Sequence, residues 1–258
     1  MKKLLIILFS LLIATSMFAD FTWAQLSFYQ GLNIANGWGD AHDDLYFEVE
    51  GGGRTGCLDL YYFFDVNHFV GQGDNAVGNQ GNFFTKIKPR ISLNKFVPKF
   101  GPVNELYIAT VYKGFNGGES YWVGLGTDLQ IPFIESFSAN FYAVAKHIDD
   151  ASDKDKTDFK KAGFVVAINW FTTLYKFNDD FNVSYQGWSD FGFANSYAED
   201  MGAPNTADEF QMFNGFFWNY EKWSLSTSVK LHNHFMYSES TLGTHDEISY
   251  FFGLHRRF

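Results

Sequence analysis

Downstream of Trp23 the chain keeps returning to strict alternation of apolar and polar residues, the period of a strand with two unlike faces, and helical spacing is nowhere sustained. In the third such segment Leu58, Leu60, Tyr62, Phe64 and Val66 form one apolar face, whereas the odd positions carry Asp59, Tyr61, Phe63, Asp65 and Asn67. Two carboxylates on one face of so apolar a strand fit a closed sheet whose outside meets hydrocarbon and whose inside holds water. Facing lipid, each carboxylate would cost enough to oppose insertion. The composition agrees. Aromatic residues make up 20% of the chain, led by 31 Phe, as aromatic girdles require.

Twelve segments follow this pattern, which predicts an all-β fold: a 12-stranded antiparallel transmembrane β-barrel of up-and-down meander topology. The first runs near residues 23–35, with Leu26, Phe28, Leu32 and Ile34 outward and Gln25, Ser27 and Tyr29 inward. Elsewhere the inward set is Tyr46, Glu48, Glu50; Asp59, Tyr61, Phe63, Asp65; Phe84, Lys86, Lys88, Arg90; Trp122, Asp128; Asn140, Tyr142, Lys146; Trp188, Asp190; Phe217; Lys230 and His232. The fifth segment, near Glu105 to Lys113, leaves its facing open. Trp170, Trp218, Trp223 and Tyr250 are expected in the interfacial girdles.

Ahead of the barrel, Lys2 and Lys3 precede an apolar run from Leu4 to Ala14 and a small-residue stretch ending near Ala19. That is the layout of a secretory signal peptide over residues 1–19, leaving residues 20–258 as one barrel domain. Its removal would shift the formal charge from -10 to -12. An acidic chain argues against nucleic acid as a partner. The closing strand aligns Ile248, Tyr250, Phe252, Leu254 and the terminal Phe258 on one face, the form in which outer-membrane barrels present themselves to their assembly machinery. These features place the protein in the outer membrane of a two-membrane bacterium, in contact with its lipid.

With both termini in the periplasm, odd-numbered connections should be long and even-numbered ones short. The connections after segments three, seven, nine and eleven are long and polar; GGGRTG and YEKW, after segments two and ten, read as tight turns. NKFVPKFGPVNE is longer and KGFNGGE shorter than the rule asks. Pro89 removes a ladder donor from a barrel strand, and a bulge is expected there.

Cys57 is the only cysteine, so no intramolecular disulfide can form, and paired-cysteine metal or redox motifs are excluded. His232 and His234 share a face without a third ligand, a weak basis for a metal. A loop site built from Asp40, His42 and His245 is the best enzymatic alternative; no serine lies in a nucleophile elbow. The reading is therefore of a non-enzyme with no cofactor, metal or catalytic residue. Gly124 and Gly126 fall inside a strand, where they relieve crowding rather than cradle phosphate. The inner face mixes aromatic platforms with charges, which suits a flat, polar solute that stacks on rings and hydrogen-bonds at its edges.

LYFEVEGGGRTGCLDLYYFFDV, PRISL after two lysines, SYWVGLGTDL, SANFYAVAK and the closing strand resemble the Tsx-like nucleoside-specific channel-forming proteins of the outer membrane. The matching segments lie in order over most of the mature chain. The resemblance implies a monomeric barrel that passes nucleosides passively. It carries Asp59, Tyr61, Asp65, Arg90, Trp122, Asp128, Asn140, Tyr142 and Lys146 onto family motif positions; the inward facing adds Tyr46, Phe63, Trp188 and Lys230 as lumen residues for substrate. Relatives often show acidic or neutral residues where this chain has Lys86 and Lys88, a departure that would favour anionic solutes. The outer loops and the stretch from Gly192 to Glu209 do not match, which leaves room for a structural, adhesive or phage-receptor barrel with working outer loops.

Overall fold

The computed structural model describes residues 20–34, 41–67, 83–115, 118–148, 160–195, 208–234 and 247–258. Residues 1–19, where the sequence predicts a signal peptide, lie outside the described residues, as do Asp40, His68 and His245. Twelve strands run in chain order: β1 (Phe21–Ile34), β2 (His42–Thr55), β3 (Leu58–Val66), β4 (Phe83–Ser92), β5 (Val103–Phe115), β6 (Gly118–Leu129), β7 (Ser136–Ile148), β8 (Lys160–Lys176), β9 (Phe181–Phe193), β10 (Glu209–Tyr220), β11 (Trp223–Asn233) and β12 (Glu247–Arg257). Each pairs antiparallel with its neighbours in sequence, and β1 pairs with β12 from Gln25↔Arg257 to Leu32↔Tyr250, which closes the barrel and leaves no edge strand. Among the described residues no helix is long and apolar enough to cross a membrane.

The expected alternation runs round the ring, interrupted by register shifts at Gly31/Ile34, Val103/Glu105, Ala143/Ala145 and Thr173/Tyr175. Outward-facing Val123 and Leu125 are 58% and 65% exposed, while Trp122, next to Val123 on the opposite face, is only 6% exposed. Strand β5, whose facing the sequence leaves open, points Tyr107, Ala109 and Val111 inward, all buried, and Ile108 outward. Phe216, Trp218, Tyr250, Phe252 and Leu254 lie on the outer surface. This apolar exterior is where a bilayer removes area from water, at roughly 25 cal/mol per Å². Trp170 packs against the neighbouring strand. Its ring lies over Gly187 on β9, half-buried, and fills the space a side chain there would take.

Connections at the end holding both chain termini are mostly short. The β10–β11 link is the two-residue turn Glu221–Lys222, with Glu221 in the left-handed region at φ 49°. The β2–β3 link is tighter than the sequence suggests: only Gly56 and Cys57 turn, and GGGRT belongs to β2. The cause lies in the neighbours, because Gly52 faces inward between Trp23 and Tyr61, and a Cβ there would crowd the Trp23 indole and the Leu60 carbonyl. Gly56, at φ 54°, supplies the turn itself. Cys57 is exposed in that turn, on the face assigned to the periplasm. A bulky maleimide should therefore leave Cys57 unmodified in intact cells and modify it in spheroplasts; labelling of intact cells would invert the topology.

Two local expectations change. Ile34 does not continue the outward face of Leu32, because Asn33 adopts φ 54° and the β1–β2 register shifts between Gly31 and Ile34. The extra residue turns Ile34 inward, where it occupies the space beside Gly31 and Phe251. Pro89 sits in β4 without a bulge: β4 keeps one register against β5 from Phe84 to Ser92, with the pairing interrupted only at Lys88 and Pro89. The Thr110 hydroxyl donates to the Pro89 carbonyl at 3.0 Å across this gap.

Candidate functional site: the barrel lumen

The inner surface is built from two packed blocks and the space between them. On β5 to β8, Ala109, Val111, Trp122, Tyr142, Val144, Ala162, Val165 and Ala167 form one buried cluster. It forms because small residues alternate with large ones. A Cβ on Gly124 would overlap the Phe141 carbonyl, and one on Gly126 would overlap the Asn140 amide oxygen, so both glycines relieve crowding as the sequence implies. The second block lies where the barrel closes. Tyr29 stacks on Tyr46 with centroids 5.1 Å apart and meets Phe251 and His255 edge-on. Buried His255 links β1 to β11, with Ser27 Oγ 2.8 Å from Nδ1 and Ser226 Oγ 2.8 Å from Nε2.

Lysines from β4 and β5 reach from one wall to the other. Lys86 Nζ on β4 lies 3.5 Å from Asp190 Oδ2 on β9, with β5 to β8 between those strands by the shorter path. Lys113 Nζ lies 3.6 Å from the same oxygen. Beside this bar, Lys88 Nζ donates to Asn169 Oδ1 at 3.4 Å. The bar separates the apolar block of β5 to β8 from the rest of the lumen. Trp122 lies beneath it: the Lys113 ammonium is 3.9 Å from the centre of the Trp122 ring and that of Lys86 5.7 Å. On the far side Trp188 receives Lys86 at 5.4 Å and Lys230 at 5.3 Å, and its ring lies parallel to Phe213.

Toward the short turns a second network crosses the wall. Arg90 donates to Asp128 Oδ1 at 2.7 Å and to Asp59 Oδ2 at 3.1 Å, and its guanidinium lies 4.0 Å from the Tyr107 ring centre. The Tyr107 hydroxyl donates to Asp128 Oδ2 at 2.7 Å. Arg54 makes a two-pronged pair with Glu105, at 2.8 and 2.5 Å, and the Ser92 hydroxyl also donates to Glu105. Asp59 thus answers to Arg90, on its own side of the barrel. Asp65 stands at the other end of β3, with one buried carboxylate oxygen that makes no hydrogen bond, and feels Lys230 and Glu50 electrostatically.

On β1, β3 and β4 half-buried rings follow one another up the lumen. Trp23 and Tyr61 are 6.1 Å apart, Tyr61 and Phe63 6.1 Å, and Phe63 and Phe84 5.6 Å. Polar groups flank the series: the Tyr61 hydroxyl donates to Glu50 at 3.0 Å, Gln25 donates to the other Glu50 oxygen at 2.8 Å, and Lys88 Nζ is 5.8 Å from the Tyr61 ring centre. Such a wall can stack a flat solute and hydrogen-bond its edges without enclosing it.

A family model described as nucleoside-specific channel-forming protein, Tsx, matches residues 18–254. The chain belongs to that family. Outer membrane protein OmpK of Vibrio parahaemolyticus is 31% identical over 220 residues, covering 82% of this chain and 77% of that one. The nucleoside-specific channel-forming protein Tsx of Escherichia coli O157:H7 is 29% identical over 173 residues, covering 62% of this chain and 57% of that one. Among solved structures, the NanC porin superposes with a TM-score of 0.54 at 10% identity over 90% of this chain and 98% of that one, a likeness of fold alone. This Tsx-family chain is a channel-forming barrel of the Gram-negative outer membrane.

In this Tsx-family barrel the lumen residues read from the sequence divide into four groups. Tyr46, Tyr61, Phe63, Asp65, Trp188 and Lys230 are inward, on the side of the bar away from the apolar block. Asp59, Arg90 and Asp128 form the lower ion network. Trp122, Asn140 and Tyr142 face inward but are buried at 6%, 4% and 0% exposure, packed into the wall. Lys146, near the long-loop end of β7, is the register partner of Ser120 on β6, far from Asp59 near the short-turn end of β3. Missing from the sequence set were Asp190, Lys113, Glu105 and Arg54. Inward facing marks Asp190, whereas Lys113 and Glu105 lie on the segment whose facing the sequence leaves open and Arg54 in a stretch that reads as a turn; no single-strand pattern reveals which opposite wall a side chain will reach. Among the described residues no cluster of three or more His, Cys, Asp or Glu is placed to hold a metal.

Proposed function

We propose that this barrel passes nucleosides, or small solutes that likewise carry a flat ring with polar edges, down their gradient through the lumen. The observation that supports this reading above the others is the ladder of rings Trp23, Tyr61, Phe63 and Phe84, whose successive centroids stand 5.6 to 6.1 Å apart. Stacking on an aromatic side chain is worth roughly 1–3 kcal/mol per base in single-strand binders. Several such platforms in series attract a ring without trapping it, which conduction needs. Glu50, Gln25 and Lys88 beside the ladder offer acceptors and donors to sugar hydroxyls and ring nitrogens. Trp122 and Tyr142 act through the lysines and the packed wall rather than by touching solute. In this reading the barrel works as a monomer, and Phe258 presents the last strand to the assembly machinery.

Planar-bilayer recording tests the proposal. Adenosine or thymidine should block the open-channel current of the wild type. Phe63→Ala should weaken that block about 5- to 150-fold, the equivalent of one stacking platform, while changing ion current much less. Block unchanged by loss of Phe63 and of Tyr61 would reject the ladder.

A further inference from the structure

We propose that the same lumen holds an anion subsite beside the ring ladder, so that the preferred solute is a flat heterocycle bearing one anionic group, as a nucleoside monophosphate does. This rests on the reading that the ladder takes nucleosides. Lys86 and Lys88 stand directly across the strand pair from Phe63 and Tyr61, and the Lys88 ammonium lies 5.8 Å from the Tyr61 ring centre. Lys113 joins them at Asp190, which is the one carboxylate within ion-pair distance of Lys86 and Lys113 among the described residues. Lys88 is held by the neutral Asn169 amide.

A brace needs one ammonium for one carboxylate. Gathering three where like charges repel and burial is costly has no advantage for folding. It suits a ligand that arrives with the missing negative charge, since pairs between ammonium and phosphate oxygens are among the stronger hydrogen bonds. The acidic residues on the β2 side of the ladder, Glu48 and Glu50 on β2 and Asp65 on β3, would repel that anion toward β4 and β5. Asp59 is engaged by Arg90, and Glu209 acts on Lys113 only at longer range. The Trp122 and Trp188 rings hold the lysine heads in place through their faces.

The test compares adenosine, adenosine 5′-monophosphate and inorganic phosphate as blockers of single wild-type channels. The monophosphate should reach half-block at about tenfold lower concentration than adenosine, the worth of one added charge-assisted contact, and inorganic phosphate should not block over the same range. In Lys113→Gln and in Lys86→Gln that advantage should shrink toward none while adenosine still blocks. Adenosine blocking as well as or better than the monophosphate would overturn the anion subsite and leave the ring ladder standing. Phosphate alone blocking as strongly as the monophosphate would show an anion site uncoupled from the rings and overturn the proposal. Block by none of the three would remove both readings, and since the wild type decides these outcomes, poor folding of a variant does not blunt the test.

Discussion

Lys86→Ala should raise single-channel conductance several-fold and leave the barrel folded, whereas Asp190→Ala should lower the yield of folded barrel. The two residues meet at 3.5 Å across the lumen, so removing the lysine side chain deletes most of the rod that joins β4 to β9. Asp190 keeps a partner in that variant, because Lys113 Nζ already lies 3.6 Å from the same oxygen. The reverse change leaves two ammonium groups near one another with their shared carboxylate gone. Breaking a buried pair by removing one member costs about 3–5 kcal/mol, and water in the lumen places this case at or below the lower end. Conductance measures the first effect and resistance to unfolding in detergent the second. Equal conductance in wild type and Lys86→Ala would mean that the bar does not limit the path.

The second large effect concerns the outer face. Leu125→Arg should cost roughly 2–4 kcal/mol, because Leu125 stands mid-strand on β6 facing outward between Ile108 and Phe141, where lipid offers a guanidinium no partner. That is about a 30- to 900-fold loss in the ratio of folded to unfolded barrel. Ser138→Arg places the same charge on the inner face, directly across from Asp128, and should cost no more than about 1 kcal/mol. Urea titration of both variants in lipid vesicles checks the contrast. A Leu125 variant as stable as the Ser138 variant would put water on both faces of β6.

Much of the architecture was legible because the period of the chain is the period of the fold. In β3 the carboxylates Asp59 and Asp65 identify the inner face by themselves, and β6, β9, β10, β11 and β12 follow the same alternation without interruption. It failed where the backbone adds a residue. At Asn33 one left-handed residue turns Ile34 to the other face, and nothing in the side-chain pattern announces it. The GGGRT stretch misled for another reason: glycine there makes room for Trp23 and Tyr61 rather than turning the chain, and only the pairing of β1, β2 and β3 shows it.

The lumen was legible in its facing and not in its depth. Sequence alternation puts Trp122 and Tyr142 on the same inner face as Tyr61 and Trp188, yet the first two are buried under Lys86 and Lys113 or within the wall. Depth depends on what the opposite strands contribute, and Asp190 meets Lys86 only after the ring has closed. The same holds for Arg54 and Glu105, which join β2 to β5 over two intervening strands.

The most direct test attaches a nitroxide in turn to every position from 59 to 66 of the barrel in lipid vesicles and measures collision with dissolved oxygen and with a water-soluble nickel chelate. Labels replacing Asp59, Tyr61, Phe63 and Asp65 should meet the chelate, and those replacing Leu60, Tyr62, Phe64 and Val66 should meet oxygen, exchanging at each step along β3. Equal access to both reagents on either set would contradict a strand with hydrocarbon on one side and a solute path on the other.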